Sequence, residues 1–194
     1  MSSCELHRVP PQLHRVNFSS LTLLDLSKND FNSLIPGWLF SLNGLVSLNL
    51  NFNRFEGPIP HGPWNSTSLR SFDVSQNELN SSLPNPLFSL NDLLSLNLRQ
   101  NGFEGPLPGS LWNMTSLRDL DLPENNFNST IPLSLYSCIH LESLNLGHNQ
   151  FQGAILSNVG NLTSITILDL SYNKLEGRIP VSMGNLCNLR VINL

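Results

Sequence analysis

The stretch Leu93-Leu94-Ser95-Leu96-Asn97-Leu98-Arg99-Gln100-Asn101-Gly102-Phe103-Glu104-Gly105-Pro106-Leu107-Pro108 holds the pattern of the whole chain in one pass. Leu96 and Leu98 alternate with polar residues, the period of a short strand with one buried face. Asn101 follows where that strand ends. Its side-chain amide has donors and an acceptor, so it can replace hydrogen bonds that a bend takes from the backbone. Gly105 suits a turn, and Pro108 forbids helix and fits an edge or turn position. The segment from Gly105 to Pro108 therefore reads as a second extended piece.

Moving outward from Leu93 in either direction, the pattern returns at a constant interval, that from Leu93 to Leu117. Units begin at Leu21, Leu45, Leu69, Leu93, Leu117, Leu141 and Ile165, and an eighth begins at Leu189. Position 9 is Asn in all seven: Asn29, Asn53, Asn77, Asn101, Asn125, Asn149 and Asn173. Position 11 is Phe or Leu, position 15 is Ile or Leu, and position 16 is Pro except at Leu156. A fixed period of this length is the signature of coils stacked on one another. Stacked Asn side chains should form a ladder, each bonding the backbone of its own and the next coil. The core should be columns of apolar residues from positions 4, 6, 11 and 15.

A second period, twice as long, lies on the first. Position 5 alternates as Asp25, Asn49, Asp73, Asn97, Asp121, Asn145, Asp169 and Asn193. Asn32-Ser33, Asn80-Ser81 and Asn128-Ser129 alternate with Glu56-Gly57, Glu104-Gly105 and Gln152-Gly153, and Glu176-Gly177 breaks that alternation. Duplication of a two-coil ancestor would give this. So would charge separation, because facing Asp residues ~4.8 Å apart on parallel strands repel.

Composition narrows the function. Leu occurs 39 times and Asn 26 times, and charged residues are 12% of the chain, about half the usual share. Net charge is −4 with no basic patch, which points away from nucleic acid. No apolar run approaches the roughly 18 residues of a membrane span, so no membrane insertion by this chain is expected, and the first residues do not read as a signal peptide. His7, His14, His61, His140 and His148 form no metal-ligand spacing, and no nucleophile or phosphate-loop motif occurs. The Asp column could suggest a hydrolytic pair, but a flat solvated sheet should raise no carboxylate pKa. Recognition without catalysis, cofactor or metal is the expectation. Cys138, at an otherwise Leu-rich position 22, should be a buried thiol, too far from Cys187 for a disulfide.

Lys174-Leu175-Glu176-Gly177-Arg178-Ile179-Pro180 and Phe55-Glu56-Gly57-Pro58-Ile59-Pro60 resemble the plant extracellular leucine-rich repeat over about nine-tenths of the chain. Ser2-Ser3-Cys4-Glu5-Leu6 and Trp38-Leu39-Phe40-Ser41-Leu42 are similar to the receptor-like proteins of cell-surface defence. The resemblance implies a leucine-rich repeat solenoid, placed by convention in the α/β class. It is a right-handed curved superhelix with a parallel concave sheet, a second short strand of the plant type, and convex 3₁₀ and polyproline-like segments. Residues 1–20 read as a partial, uncapped first repeat with Cys4 in the ladder position, 21–188 as seven repeats, and 189–194 as the start of an eighth. A parent receptor would stand at the outer face of the plasma membrane, bind a protein or peptide ligand and signal through a partner kinase. The alternatives are an inhibitor similar to the polygalacturonase-inhibiting proteins, or a non-functional truncated fragment.

Positions 3, 5, 7, 8 and 10 should face the concave side, and positions 7, 8 and 10 vary most between units. The candidate ligand-binding residues are Phe52, Arg54, Gln76, Arg99, Gln100, Glu124, His148 and Tyr172. Phe, Tyr and Arg are the types that anchor interfaces. Six Asn-x-Ser/Thr sequons mark candidate glycan sites: Asn17, Asn65, Asn113 and Asn161 at position 21, and Asn80 and Asn128 at position 12. Trp38, Trp64 and Trp112, with Phe40, Phe88 and Tyr136, should cover the convex side of the core.

Overall fold

A computed structural model describes Cys4, Leu6, His7, Phe18 and residues 20–108 and 114–194. Eight three-residue strands form one parallel sheet: Leu23–Asp25, Ser47–Asn49, Ser71–Asp73, Ser95–Asn97, Asp119–Asp121, Ser143–Asn145, Ile167–Asp169 and Val191–Asn193. Each is repeat positions 3 to 5, and neighbours pair one full repeat apart, as Leu48 does with Phe72 and Phe72 with Leu96. Position 4 points into the core from every inner strand and positions 3 and 5 point out, so strand order is coil order.

The second extended piece begins earlier than the Gly and Pro residues suggest. Among the described residues four of its six strands, Glu78–Ser81, Gly102–Gly105, Asn126–Phe127 and Lys174–Glu176, start at position 10, and Glu56–Gly57 and Gln152–Ala154 start at position 12. They pair two residues short of a full repeat, as Asn80 with Gly102 and Gln152 with Lys174. Two sheets built from the same coil thus differ in register by two residues. The flanking strands fall into a group of four and a group of two. Between Asn126–Phe127 and Gln152–Ala154 the coils are joined by the Thr130–Gln152 bridge and by the Gln150 and Gln152 N–H groups donating to the Phe127 and Ser129 carbonyls. Gly57, Gly105, Gly153 and Gly177 at position 13 all have positive φ, which glycine adopts without penalty. At Gly57 a Cβ would lie 2.6 Å from the Leu34 side chain.

Convex 3₁₀ turns occupy positions 17 to 21 at Gly37–Ser41, Asn85–Ser89, Leu133–Ser137, Ser157–Asn161 and Val181–Asn185. The residue before each is extended, φ −63 to −75, and its carbonyl accepts the N–H of position 19. Leu156 takes the same conformation as the prolines at its position, which explains why it is tolerated. The coil holding Pro63 forms no such turn, because Pro63 has no N–H to give the Pro60 carbonyl. The indole N–H of Trp64 donates to that carbonyl instead, at 3.0 Å.

The core holds the expected columns, with Phe31, Phe55, Phe103, Phe127 and Phe151 at position 11 buried and neighbouring rings stacked 5.5 to 6.4 Å apart. It also takes in position 19, unremarked in the sequence, where Leu39, Leu87, Leu135 and Val159 are buried. The ladder runs one way. Asn53 Oδ1 accepts the Phe31 N–H, and its Nδ2 donates to the carbonyls of Leu26, Leu50 and Asn51. The partners are therefore its own and the preceding coil, not the next. Leu6 N–H reaches Asn29 Oδ1 in the same fashion.

Candidate ligand-binding face

Beyond each concave strand the chain passes through a tight corner. The side-chain oxygen of position 5 accepts the N–H of position 7: Asp25 from Ser27, Asn49 from Asn51, Asp73 from Ser75, Asn97 from Arg99, Asn145 from Gly147 and Asp169 from Ser171. The alternating Asp/Asn column therefore serves the corner as well as facing solvent. Position 8 comes next, and in all seven coils its φ is positive: Lys28, Phe52, Gln76, Gln100, Glu124, His148 and Tyr172 lie between 50° and 57°. None is Gly or Asn, the residues that region favours. The conformation costs on the order of 1 kcal/mol per residue. Stacking imposes it: the position-8 N–H donates to the position-7 carbonyl of the next coil, as Phe52 does to Ser75 and Gln100 to Pro123.

The side chains so presented form a continuous row. Lys28 Nζ lies 6.0 Å from the ring centroid of Phe52, which is 49% exposed. Gln76 donates to Gln100, and Gln100 donates to Glu124 Oε2 at 2.7 Å. Arg99 meets the other Glu124 oxygen at 2.7 Å. The Gln100 amide first, and Arg99 with it, hold the Glu124 carboxyl below its usual range against an opposing burial effect. His148 and Tyr172 stack with centroids 4.1 Å apart, and Tyr172 is 74% exposed. Arg54, at position 10, stands instead two residues before the flanking strand Glu56–Gly57 and pairs with Asp30 at 2.9 Å.

The carboxylates of position 5 are not alike. Burial pushes Asp25 and Asp169 up, but hydrogen bonds from Ser27 and Ser171 outweigh it and leave both lowered. Asp121 has Pro123 two residues on, which offers no N–H. Burial raises its pKa, and Arg99 and the Asn145 side chain only partly offset that. Burial and Glu142 raise Asp119 as well. The expectation that this sheet would raise no carboxylate is therefore corrected at Asp119 and Asp121, where burial is the largest cause of the rise.

Asn65, Asn80, Asn128 and Asn161 are exposed, while Asn17, Asn113 and Trp112 lie outside the described residues. Phe40, Phe88 and Tyr136 are buried under the convex surface, and Trp64 stacks on Phe40 at 4.1 Å. Cys138 is a buried thiol 3.5 Å from the Met114 carbonyl, and Cys187 is exposed. Among the described residues no three or more of His, Cys, Asp and Glu are grouped to hold a metal ion, and no helix is long and apolar enough to cross a membrane.

The Leucine Rich Repeat model matches residues 20–42, 44–66, 68–90, 92–114 and 164–186, and a second Leucine Rich repeat model matches 137–160. The chain is 47% identical over 51 residues to the calmodulin-binding receptor kinase CaMRLK of Arabidopsis thaliana, covering 26% of this chain and 8% of that protein. It is 41% identical over 61 residues to Receptor-like protein 49 of the same plant, covering 30% and 7%. Among solved structures it superposes on the Arabidopsis HAESA ectodomain in complex with an IDA peptide hormone, with TM-score 0.90 and 34% identity over 99% of this chain and 32% of that one. A further HAESA structure, with IDA and the co-receptor SERK1, gives TM-score 0.76 and 30% identity over 99% of this chain and 37% of that one. The chain thus spans under a tenth of these curated relatives and about a third of these ectodomains.

Proposed function

The chain belongs to the leucine-rich repeat family, and from that premise we propose that it is a run of coils from a plant cell-surface receptor ectodomain, recognising a protein or peptide ligand. One observation carries the reading. Every coil holds one of its variable residues, position 8, in a left-handed conformation that favours glycine, yet no coil carries glycine there. Strain kept at corresponding sites in all seven coils suits a row of side chains selected for contact rather than for stability. The row offers an aromatic at Phe52, an amide and carboxylate network from Gln76 to Glu124, and a stacked pair at His148 and Tyr172. Arg54 extends it onto the flank.

The chemistry is binding and not turnover, and the parent receptor would pass the signal through a co-receptor kinase. The parent stands at the outer face of the plasma membrane, with glycans on Asn65, Asn80, Asn128 and Asn161 and on the two sequons at Asn17 and Asn113. Residues 21–188 are seven full repeats, flanked by a partial one before and the start of another after. The test is a response and binding assay on the receptor that contains these coils, with Phe52, Arg54, Arg99 and Tyr172 each changed to Ala. A loss of ~2 kcal/mol at one or two positions is the expected hot-spot pattern. No change at any of the four, with loss from Trp38→Ala in folded protein, would put the ligand on the convex side.

A further inference from the structure

On the flank, where the Phe127 and Ser129 carbonyls accept the Gln150 and Gln152 N–H groups, lies a polar groove of about 340 Å³ lined by Thr130, Gln152, Gly153, Lys174 and Glu176. Its volume lies within the range of small-molecule clefts, about 300–1,000 Å³. Asn128, the acceptor of the sequon Asn128-Ser129-Thr130, lies two residues before the lining residue Thr130. Asn126 and Asn128 are exposed and Phe127 between them is buried, so Asn128 points out on the same surface as the exposed Gln152, Lys174 and Glu176. Thr130 is the bridge partner of Gln152, and Gln152 pairs with Lys174, so the groove runs diagonally across two coils from the sequon itself. Lys174 Nζ holds Gln150 Oε1 at 3.0 Å, which fixes the ammonium at its edge.

We propose that this groove seats the first sugars of a glycan carried by Asn128. The lining suits N-acetylglucosamine, whose hydroxyl and acetamide groups both donate and accept. Gln152 and Thr130 do both, Glu176 accepts, and Lys174 donates. Strand geometry puts Thr130 about 7 Å along the chain from Asn128, and Gln152 about 5 Å across from Thr130, so the sugar next to the Asn128 amide meets them first. Asn80 is the internal contrast. It takes the same repeat position two coils earlier, but a carboxylate, Glu104, stands there in the place of Gln152, and Asn126 in the place of Lys174, so the ammonium has no counterpart.

This inference rests on the extracellular reading of the chain, and the experiment separates the two. The protein is secreted from a eukaryotic host, and native glycoprotein is treated with peptide N-glycosidase while peptide mass spectrometry follows each site. Release at Asn128 should be roughly tenfold slower than at Asn80, the factor worth about one net hydrogen bond, and the difference should vanish after denaturation. Changing Gln152→Ala together with Lys174→Ala should bring Asn128 to the Asn80 rate. An unchanged Asn80 rate in that variant reports that it is folded. Equal native rates at the two sites, no acceleration in the variant, or an unoccupied Asn128 beside an occupied Asn80 would overturn the proposal. If none of Asn65, Asn80, Asn128 and Asn161 carries sugar, the extracellular reading falls with it.

Discussion

At the scale of the residue, two asparagines in one coil have different duties. Asn101 Oδ1 accepts the Leu79 N–H, and its Nδ2 donates to the carbonyls of Val74, Leu98 and Arg99. Asn101→Ala should cost ~1–3 kcal/mol in urea unfolding, because it leaves inner backbone groups unpaired. Asn97 accepts one exposed N–H, that of Arg99, so Asn97→Ala should cost ~0.5–1 kcal/mol. The sequence displays both residues at fixed positions, yet only stacked coils reveal that position 5 holds the corner. Asp121 is the variant in that column. Its folded pKa is raised above the ordinary 3.8, so the neutral form is favoured by folding. The stability it contributes is complete below 3.8 and is lost as pH rises through the folded value. Asp121→Asn should therefore flatten a fall in stability over that window. Pro123→Ser should supply the missing N–H and move the Asp121 carboxyl down in an NMR titration. Asp169, with a lowered pKa, has the opposite sign: its contribution is present above 3.8 and fades as pH falls through its folded value. A titration in which Asp121 and Asp169 move together would refute the role given to Pro123.

At the scale of the element, the convex turns were legible in kind and not in detail. A proline at position 16 announces the extended residue before each turn, and Gly at position 13 announces the positive φ, because each is a local constraint on one backbone. The starting point of the flanking strands was not legible. It depends on the shortened pairing between coils, Gln152 with Lys174 and Asn80 with Gly102, which no single coil encodes. The same holds for the candidate site. The variable positions stood out in the repeat, but Lys28, Phe52 or Tyr172 gives no sign of a left-handed backbone that its own side chain does not favour. Trp64 is a further case of a non-local remedy. Trp64→Phe should keep the stack on Phe40 but leave the Pro60 carbonyl without the indole donor, costing about 1 kcal/mol. With Pro63→Leu in the background, the backbone N–H returns and the same change should cost measurably less. A double-mutant cycle in thermal unfolding reads the coupling, and additive losses would mean the indole bond contributes nothing.

At the scale of the molecule, the two sides of the solenoid are spaced by different means. The concave side is fixed by sheet hydrogen bonds at one spacing for every coil. The convex side is set by position 20, where Phe40, Trp64, Phe88 and Tyr136 fill the space between turns. Gly160 and Gly184 occupy that position in the sixth and seventh coils. At Gly160 a Cβ would stand 2.7 Å from the Ser182 carbonyl oxygen and 2.9 Å from its Cβ. Ser182 Oγ meanwhile reaches the Ser157 carbonyl at 2.6 Å across the same approach. The convex turns therefore close on each other here, whereas aromatic rings hold them apart earlier in the chain. Coils of a solenoid are coupled only to their neighbours, so a strained approach weakens the interface at which it sits. Gly160→Ala should force the turns Ser157–Asn161 and Val181–Asn185 apart and destabilise by ~1–3 kcal/mol, as overpacking does. Gly184 is the matched control, since a Cβ there meets nothing within 4 Å and its φ is not positive. Gly184→Ala should be neutral or stabilise by up to about 1 kcal/mol, through lost freedom in the unfolded chain. Hydrogen exchange on the two variants would locate the effect: faster exchange confined to the sixth and seventh coils in Gly160→Ala supports the close approach, and equal behaviour of the two variants would remove it.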